Sequence, residues 1–473
     1  QTAKDKEQAD AGKVCRIGTD TYYDTLDAAF AAVADGETVT LIQDLTTYVG
    51  QITVPAGITV TLDGNGKQLV RSESAENKEI FAELKSNITL LNCNITTPKP
   101  GTGWLKRRLF GNISPQGEEI TITVKDSVLN LGASFVGGYL AKDKTLNIAI
   151  VNSNVTVDAG GHNARFICAD DFGSKLGGKE LHMSMDDSTL TLGDEALWGV
   201  SGMTANLVLR NSVLKGNSRK NVVIRGYANA VQTVELYHSE IQMSDEAGGD
   251  KGYSTVFDLR AGTHSLKLDG ESAIRTTRTN TSTGTDNGVW LIRADDGANV
   301  NVSLDSGAVI EMNDAGVANK TGIIWFNGAT SSVIKSWTDN GAQWKIGADL
   351  LKKGFKMDAS LLGKTQLGWV AEGKTGIYGG KIQEAEATDA LTLTVFSVDS
   401  ADFGNAIGAS IRTKDPLGIR FTANVSEALI ERLGDQAKYG ILIAPTSKVT
   451  AASAFTMEAL GKDNYVTNDL ADF

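Results

Sequence analysis

The chain is predicted to be an all-β protein built as a parallel β-helix, and three observations lead there. One phrase recurs, an aliphatic residue three places before a small residue and another two places after it, centred on Cys93, Ser127, Ser153, Ser188, Ser212 and Ser239. Its aliphatic partners are Leu90 and Ile95, Val124 and Leu129, Ile150 and Val155, Met185 and Leu190, Leu209 and Leu214, Leu236 and Ile241. Looser copies follow at Ser272 and Ser306, and the spacings run from 24 to 35 residues, the length of one solenoid coil. A second set of strands follows the phrase, at Val222–Gly226, 257–261, 290–294 and 324–328. Aligned on Arg225, Arg260, Arg293 and Asn327, these lie 35, 33 and 34 residues apart, the same period reached independently. The third observation is composition: 51 Gly against 6 Pro, with Val, Ile, Leu and Thr in the patterned stretches, favours strands joined by tight turns.

Taken in order, residues 1–19 form a polar start, and 20–50 read as a cap made of a helix and a strand. In the helix at 25–36, Leu26, Ala29, Phe30 and Val33 share one face, Thr25 caps the start and Gly36 ends it. Such a helix plugs the open end of a solenoid, whose unpaired strand edges would otherwise recruit other chains. Coils are predicted from 51 to 340. Each serine suits a turn where a small hydroxyl reaches the next coil, and the Asp or Asn before it (Asp126, Asn152, Asp187, Asn211) suits turn backbone. In the second strand set, alternation turns Ile224, Leu259, Ile292 and Phe326 inward, with Val222, Phe257, Trp290 and Ile324, and turns the arginines out. In earlier coils Cys168 and Ser201 fill the arginine position, which leaves Arg165 in an inward slot.

The period fails near residue 335. A short capping helix is expected within 343–357 and a hairpin-rich exit over 368–382, so 341–390 read as a transition. A new β-sandwich-like module is expected over 391–473, with a helix at 426–434 and strand edges still lacking partners at the end. The chain therefore reads as part of a longer surface-attached protein.

The formal charge of −12 is spread along the 473 residues, with no basic block beyond Lys106-Arg107-Arg108, which argues against nucleic acid as a partner. No run of about 18 apolar residues is present, so no membrane-spanning segment is expected. The start at Gln1, without a hydrophobic leader, reads as a mature secreted segment. Cys15, Cys93 and Cys168 make no disulfide framework and no zinc pair, a usage that fits bacterial export. His162, His182, His238 and His264 are scattered and read as surface positions.

The segment 52–66, reading ITVPAGITVTLDGNG, resembles the first coil of right-handed parallel β-helix proteins of the pectin-lyase-like class. With the alanine-rich helix and the strand DGETVTLIQDLT before it, the stretch 15–70 is similar to exported surface proteins of Gram-positive, often gut-dwelling, bacteria. The resemblance implies an extracellular, secreted or cell-surface protein and an architecture more than an activity. Enzymes of that class cleave acidic polysaccharides with clustered aspartates and a basic partner. Here Asp170-Asp171 follow Gly160-Gly161-His162 and Asp295-Asp296 follow Arg293, but the Gly-His-Gly is broken and no Arg-x-Lys accompanies it. Acids paired across adjacent coils, as two-carboxylate glycoside hydrolysis requires, are not evident.

The weak catalytic candidates are therefore Asp170, Asp171, Asp258, Arg260, Arg293 and Asp295, for a lyase or glycoside hydrolase. The favoured reading is a non-enzymatic adhesin or host-interaction stalk. In it Arg225, Arg260 and Arg293, stacked at coil spacing with Tyr227 beside them, bind a carboxylated or sulfated glycan, or a surface protein, along the side wall. Two plainer readings stand beside it: a charge-compensated ladder with Asp258 and Asp295 as counter-ions, and a purely structural spacer. No cofactor is expected; calcium on the acidic doublets is conceivable, but no Asp-x-Asp-x-Asp loop supports it.

Overall fold

A computed structural model describes residues 1–99, 107–138, 140–158, 160, 165–168, 177–193, 196–217, 222–244, 253–278, 288–314, 320–326, 333–356, 365–371, 374–377, 381–382, 384–399, 402, 408–415, 418–422, 424–434, 440–442 and 465–467. The chain is a solenoid of long parallel sheets. The first sheet, of 13 strands, carries eleven parallel ones that run from Thr38–Leu41 through Thr59–Asp63, Asn87–Leu91 and Glu119–Lys125 to Val333–Asp339, with Cys15–Ile17 and Thr21–Tyr23 antiparallel at its leading edge. The second, of 14 strands, carries eleven that start at Leu45–Tyr48 and climb in parallel step to Gln343–Ile346, with three antiparallel strands beyond. A third, of seven strands, runs from Gly199–Val200 to Phe355–Lys356 with Lys381–Ile382 at its edge, and isolated bridges continue it back to Ile52.

The repeat phrase is the corner between the first two sheets. Leu90, Val124, Ile150, Met185, Leu209 and Leu236 form one inward column, and Ile95, Leu129, Val155, Leu190, Leu214 and Ile241 form another. All twelve are at most 1% exposed, in one continuous core. Between the columns a residue with positive φ turns the chain: Asn92, Asp126, Asn152, Asp187, Asn211 and His238 all lie between +45° and +51°, a region Asn and Asp tolerate better than most.

The small residue that follows has a definite task. Each serine hydroxyl accepts from the backbone N–H of its counterpart one coil earlier, as in Ser153 N–H to Ser188 Oγ at 3.1 Å and Ser188 N–H to Ser212 Oγ at 3.0 Å. It also donates to the carbonyl two residues before it, as Ser188 does to Asp186 at 2.7 Å. The partner in the next coil is thus a backbone amide rather than another hydroxyl, and the ladder satisfies buried amides that the corner removes from the sheets. Cys93 heads the column and Ser272 continues it. Ser306 does not belong to it: Val309 pairs with Ala273, so Ala308 takes the place opposite Ser272. The thiols of Cys15 and Cys93 are buried, and burial pushes both up to about 12.

The ends differ from expectation. The capping helix is Leu26–Ala32, with Thr25 Oγ accepting from the Ala28 amide; it stops at Val33, and Gly36 serves the following turn with φ +78°. The strands after it already pair as a coil, so the stack begins near residue 38 rather than 51. Cys15–Ile17 lies antiparallel to Thr38–Leu41 and covers the edge of the first sheet. At the far end the helix is Ala348–Lys353. The strand Leu391–Asp399, expected to open a separate module, instead pairs antiparallel with Gln343–Ile346 and Thr365–Ala371 and so closes the second sheet. The helix Glu427–Leu433 lies where expected, and its Leu429 and Leu433 pack on Phe396 and Val398 of that closing strand.

An arginine-lined bend as the candidate functional site

The third sheet bends in every coil. Side chains there do not simply alternate, because two consecutive residues enter the core: Leu109 and Phe110, Phe135 and Val136, Phe166 and Ile167, Leu197 and Trp198, Val223 and Ile224, Val256 and Phe257, Leu291 and Ile292, Ile323 and Ile324. The side chains flanking such a pair converge on the outer, concave side of the bend. The residue before the bend in one coil lies over the residue after it in the next. Arg108 Nη1 donates to the Gly137 carbonyl at 2.7 Å, and Trp290 stacks on Trp325 with centroids 6.1 Å apart. Arg165 lies over Gly199, where a Cβ would collide with its guanidinium and with the Tyr227 ring. Arg165 is therefore on the concave outer side, not in the inward slot that simple alternation assigned to it.

Ile224, Leu259 and Ile292 all line the core, as expected, together with Phe257 and Ile324. Trp290, expected inward, is turned to the outer side by the double-inward pair that follows it. The register of the arginines also differs from the one expected. Arg225 pairs with Asp258, Asp258 with Arg293 and Arg293 with Trp325, so a carboxylate occupies the rung between two guanidiniums and Arg260 falls two residues further along. Like charges stacked at the strand spacing of about 4.8 Å would repel, and the alternating order removes that repulsion. Gly199, rather than Ser201, is the earlier residue opposite Arg225.

The six described candidates meet in one cluster. Arg225 Nε donates to Asp258 Oδ2 at 2.9 Å and Arg293 Nη1 to Asp258 Oδ1 at 2.6 Å. Arg293 Nη2 also holds Asp295 at 2.9 Å, and Asp295 pairs with Arg260 at 3.4 Å. The Arg260 guanidinium lies 4.7 Å from the Tyr227 ring centre, and Arg165 donates to the Tyr227 hydroxyl at 3.0 Å. Arg293 lies 5.1 Å from the centre of the partly exposed Trp325 ring. Asp258, at 1% exposed, and Arg225, at 5%, are on the outer side of the sheet yet out of solvent, so the expected exposed ladder is a buried ion cluster. Arg260 is the exception, with 41% of its side chain exposed. Asp170 and Asp171 lie outside the described residues, and among the described residues no group of three or more His, Cys, Asp or Glu is placed to hold a metal ion.

Beside the cluster, inside the solenoid, His264 corrects the expectation of surface histidines. It is 3% exposed, its Nε2–H donates to the Arg260 carbonyl at 2.8 Å, and Gln232 lies next to it in register. Burial pushes its imidazole below the ordinary range, against a smaller opposing effect of that hydrogen bond. The unfolded chain therefore takes up the proton first as pH falls. The stability His264 contributes is whole above about pH 6.5 and is lost below it. Denaturation midpoints between pH 7.5 and 5 are expected to fall less in His264→Gln than in the parent. Parallel curves would show that His264 does not carry the effect, since the half-buried His182 and the exposed His238 are common to both proteins.

One set of residues escaped the sequence reading. Six places before each repeat serine or cysteine stands a polar residue, Asn87, Thr121, Asn147, His182, Asn206 and Thr233. In the structure these form one column on the outer face of the first sheet. The periodicity was visible, but its meaning required knowing which face it lay on.

Comparison with known proteins returns no match: no family model, no curated protein and no solved structure.

Proposed function

We propose that this chain is a non-enzymatic, extracellular β-helix protein, secreted or held at a bacterial surface, that binds an acidic glycan at the arginine-lined bend. The parallel solenoid is compatible with the pectin-lyase-like class that residues 15–70 resemble, and a right-handed turn follows the strong preference of parallel strand connections. A Gram-positive origin rests on that resemblance alone. The observation that carries the binding reading is the cluster itself. Arg225, Arg260 and Arg293 meet two carboxylates, Asp258 and Asp295, while Arg165 bonds to Tyr227, so four guanidiniums gather with Tyr227 and Trp325 along one wall. Arg260 offers the accessible guanidinium, whose fork suits a carboxylate or sulfate, and the aromatic rings suit the apolar face of a sugar.

The same geometry speaks against a lyase or hydrolase at this place. Asp258 is held between Arg225 and Arg293, and Asp295 between Arg293 and Arg260, so neither carboxylate is disposed to act as a general acid or base.

Titration of the intact protein with uronate and sulfated oligosaccharides is expected to show binding that weakens with salt and falls at least about tenfold in Arg260→Ala. Equal affinity in the variant, or release of unsaturated or reducing products from uronate polymers, would overturn the proposal. A spacer would bind none of these ligands.

A further inference from the structure

The outer face of the first sheet carries an open trough of about 560 Å³, on a different wall from the arginine-lined bend. Its floor is a column of short side chains, Ala149, Ser184 and Val208. One wall is the polar column of Thr121, Asn147, His182, Asn206 and Thr233, Arg210 stands at the other side, and Glu235, opposite Val208, continues the floor column. The sequence dictates this relief. Outward positions on a strand carry no packing demand, so a column of small residues beside a column of longer ones leaves a channel along the stack.

The polar wall is held in place. Glu180 Oε2 lies 2.9 Å from His182 Nε2, and Asn206 Nδ2 lies 3.1 Å from His182 Nδ1. One tautomer satisfies both contacts, with Nε2–H donating to the carboxylate and Nδ1 accepting from the amide. Asn147 Nδ2 donates to Glu119 at 3.1 Å. Beyond these bonds each amide retains its oxygen and a second N–H, one donor and one acceptor side by side. That is the arrangement which adjacent hydroxyls on a sugar ring satisfy. Arg210 faces Asp186 at 3.8 Å, whereas Glu119 and Glu180 are held by the neutral Asn147 and His182, so the wall disfavours an anion where the bend favours one. At the far end the partly exposed Tyr237 ring is flanked by Arg210 at 5.7 Å and Lys267 at 5.4 Å, and gives a sugar face a platform.

Spacing selects the shape of the ligand. Each coil advances about 4.8 Å, close to the length of one pyranose ring in an extended chain. A polymer lying along the solenoid axis therefore meets one rung of the polar column per sugar, in register over five coils. We infer that the trough binds an extended, neutral polysaccharide aligned with the solenoid axis, as a second glycan site independent of the arginine-lined bend.

The test is calorimetric titration of the intact protein with cellohexaose, xylohexaose and mannohexaose and with the corresponding disaccharides. At least one hexasaccharide is expected to bind roughly tenfold or more tighter than its disaccharide, because affinity accrues rung by rung. Ser184→Tyr, which raises the trough floor, is expected to remove that binding. The pair Asn147→Ala and Asn206→Ala, which leaves the floor untouched, is expected to weaken it about tenfold. Arg260→Ala is expected to leave it unchanged, which separates this site from the acidic-glycan site. Absence of binding by all three hexasaccharides, or binding indifferent to both the tyrosine and the paired alanine variants, would overturn the inference whatever the bend does.

Discussion

Replacing Asp258 by alanine is expected to cost about 3–5 kcal/mol, because it removes one partner from a buried charge cluster. Asp258 accepts from Arg225 on one side and from Arg293 on the other, and its side chain is 1% exposed. Without it two guanidiniums two coils apart face each other across a site with little water, where their repulsion is poorly screened. The loss measures the charge left behind rather than the worth of the cluster. Buried ion groups often do no better than packed apolar ones. A triple variant, Arg225→Met with Asp258→Leu and Arg293→Met, is accordingly expected to recover most of the stability that Asp258→Ala loses. Urea unfolding followed by circular dichroism checks both. An Asp258→Ala protein within about 1 kcal/mol of the parent would mean that Asp258 is not what balances the two arginines. Hydrogen exchange is expected to accelerate in the strands Val222–Gly226, Tyr253–Leu259 and Gly288–Ala294, which carry the cluster.

The register of those strands shows where sequence reasoning reaches and where it stops. The period was legible because every coil must return to the same corner, and the inward positions Leu90, Val124, Ile150 and Met185 tolerate only aliphatic residues at a fixed distance from the turn. The pairing in the third sheet was not legible in the same way. Aligning Arg225, Arg260 and Arg293 by identity puts like charges on one column, whereas the chain aligns its apolar bend pairs, Val223-Ile224, Val256-Phe257 and Leu291-Ile292, and the charges follow in alternation. Ser306 misled for a related reason: a longer turn moves the small-residue position to Ala308, and a serine two places early resembles the repeat without occupying it. Leu391–Asp399 reads as a good strand in any context, and its own residues do not say that its partner is the open edge at Gln343–Ile346. Six of the named candidates meet in one cluster, but the burial of Asp258 and Arg225 was not legible, because alternation puts them on the outer face of the sheet and no local pattern encodes what lies over that face.

Phe30→Ala is expected to cost a similar about 3–5 kcal/mol, but to spend it differently. Phe30 is fully buried in the capping helix and meets Phe81 edge-on at 6.0 Å. Phe81 stacks on Phe110 at 4.9 Å, Phe110 meets Phe135 at 5.2 Å and Phe135 stacks on Phe166 at 4.7 Å, so the helix supplies the first ring of an aromatic column inside the stack. In a solenoid each coil touches only its neighbours, and a terminal defect can unfold locally while the rest persists. Opening the cap exposes the leading edge of Thr38–Leu41 and the coil behind it, an unpaired strand edge that pairs with another copy. The expected result is fast amide exchange over residues 15–63, unchanged protection over the strands 119–237, and concentration-dependent association in light scattering. A deletion of residues 1–36 is expected to behave likewise, with stronger association. Uniform loss of protection along the whole stack would show that the coils unfold as one unit and that the cap is not a separable plug.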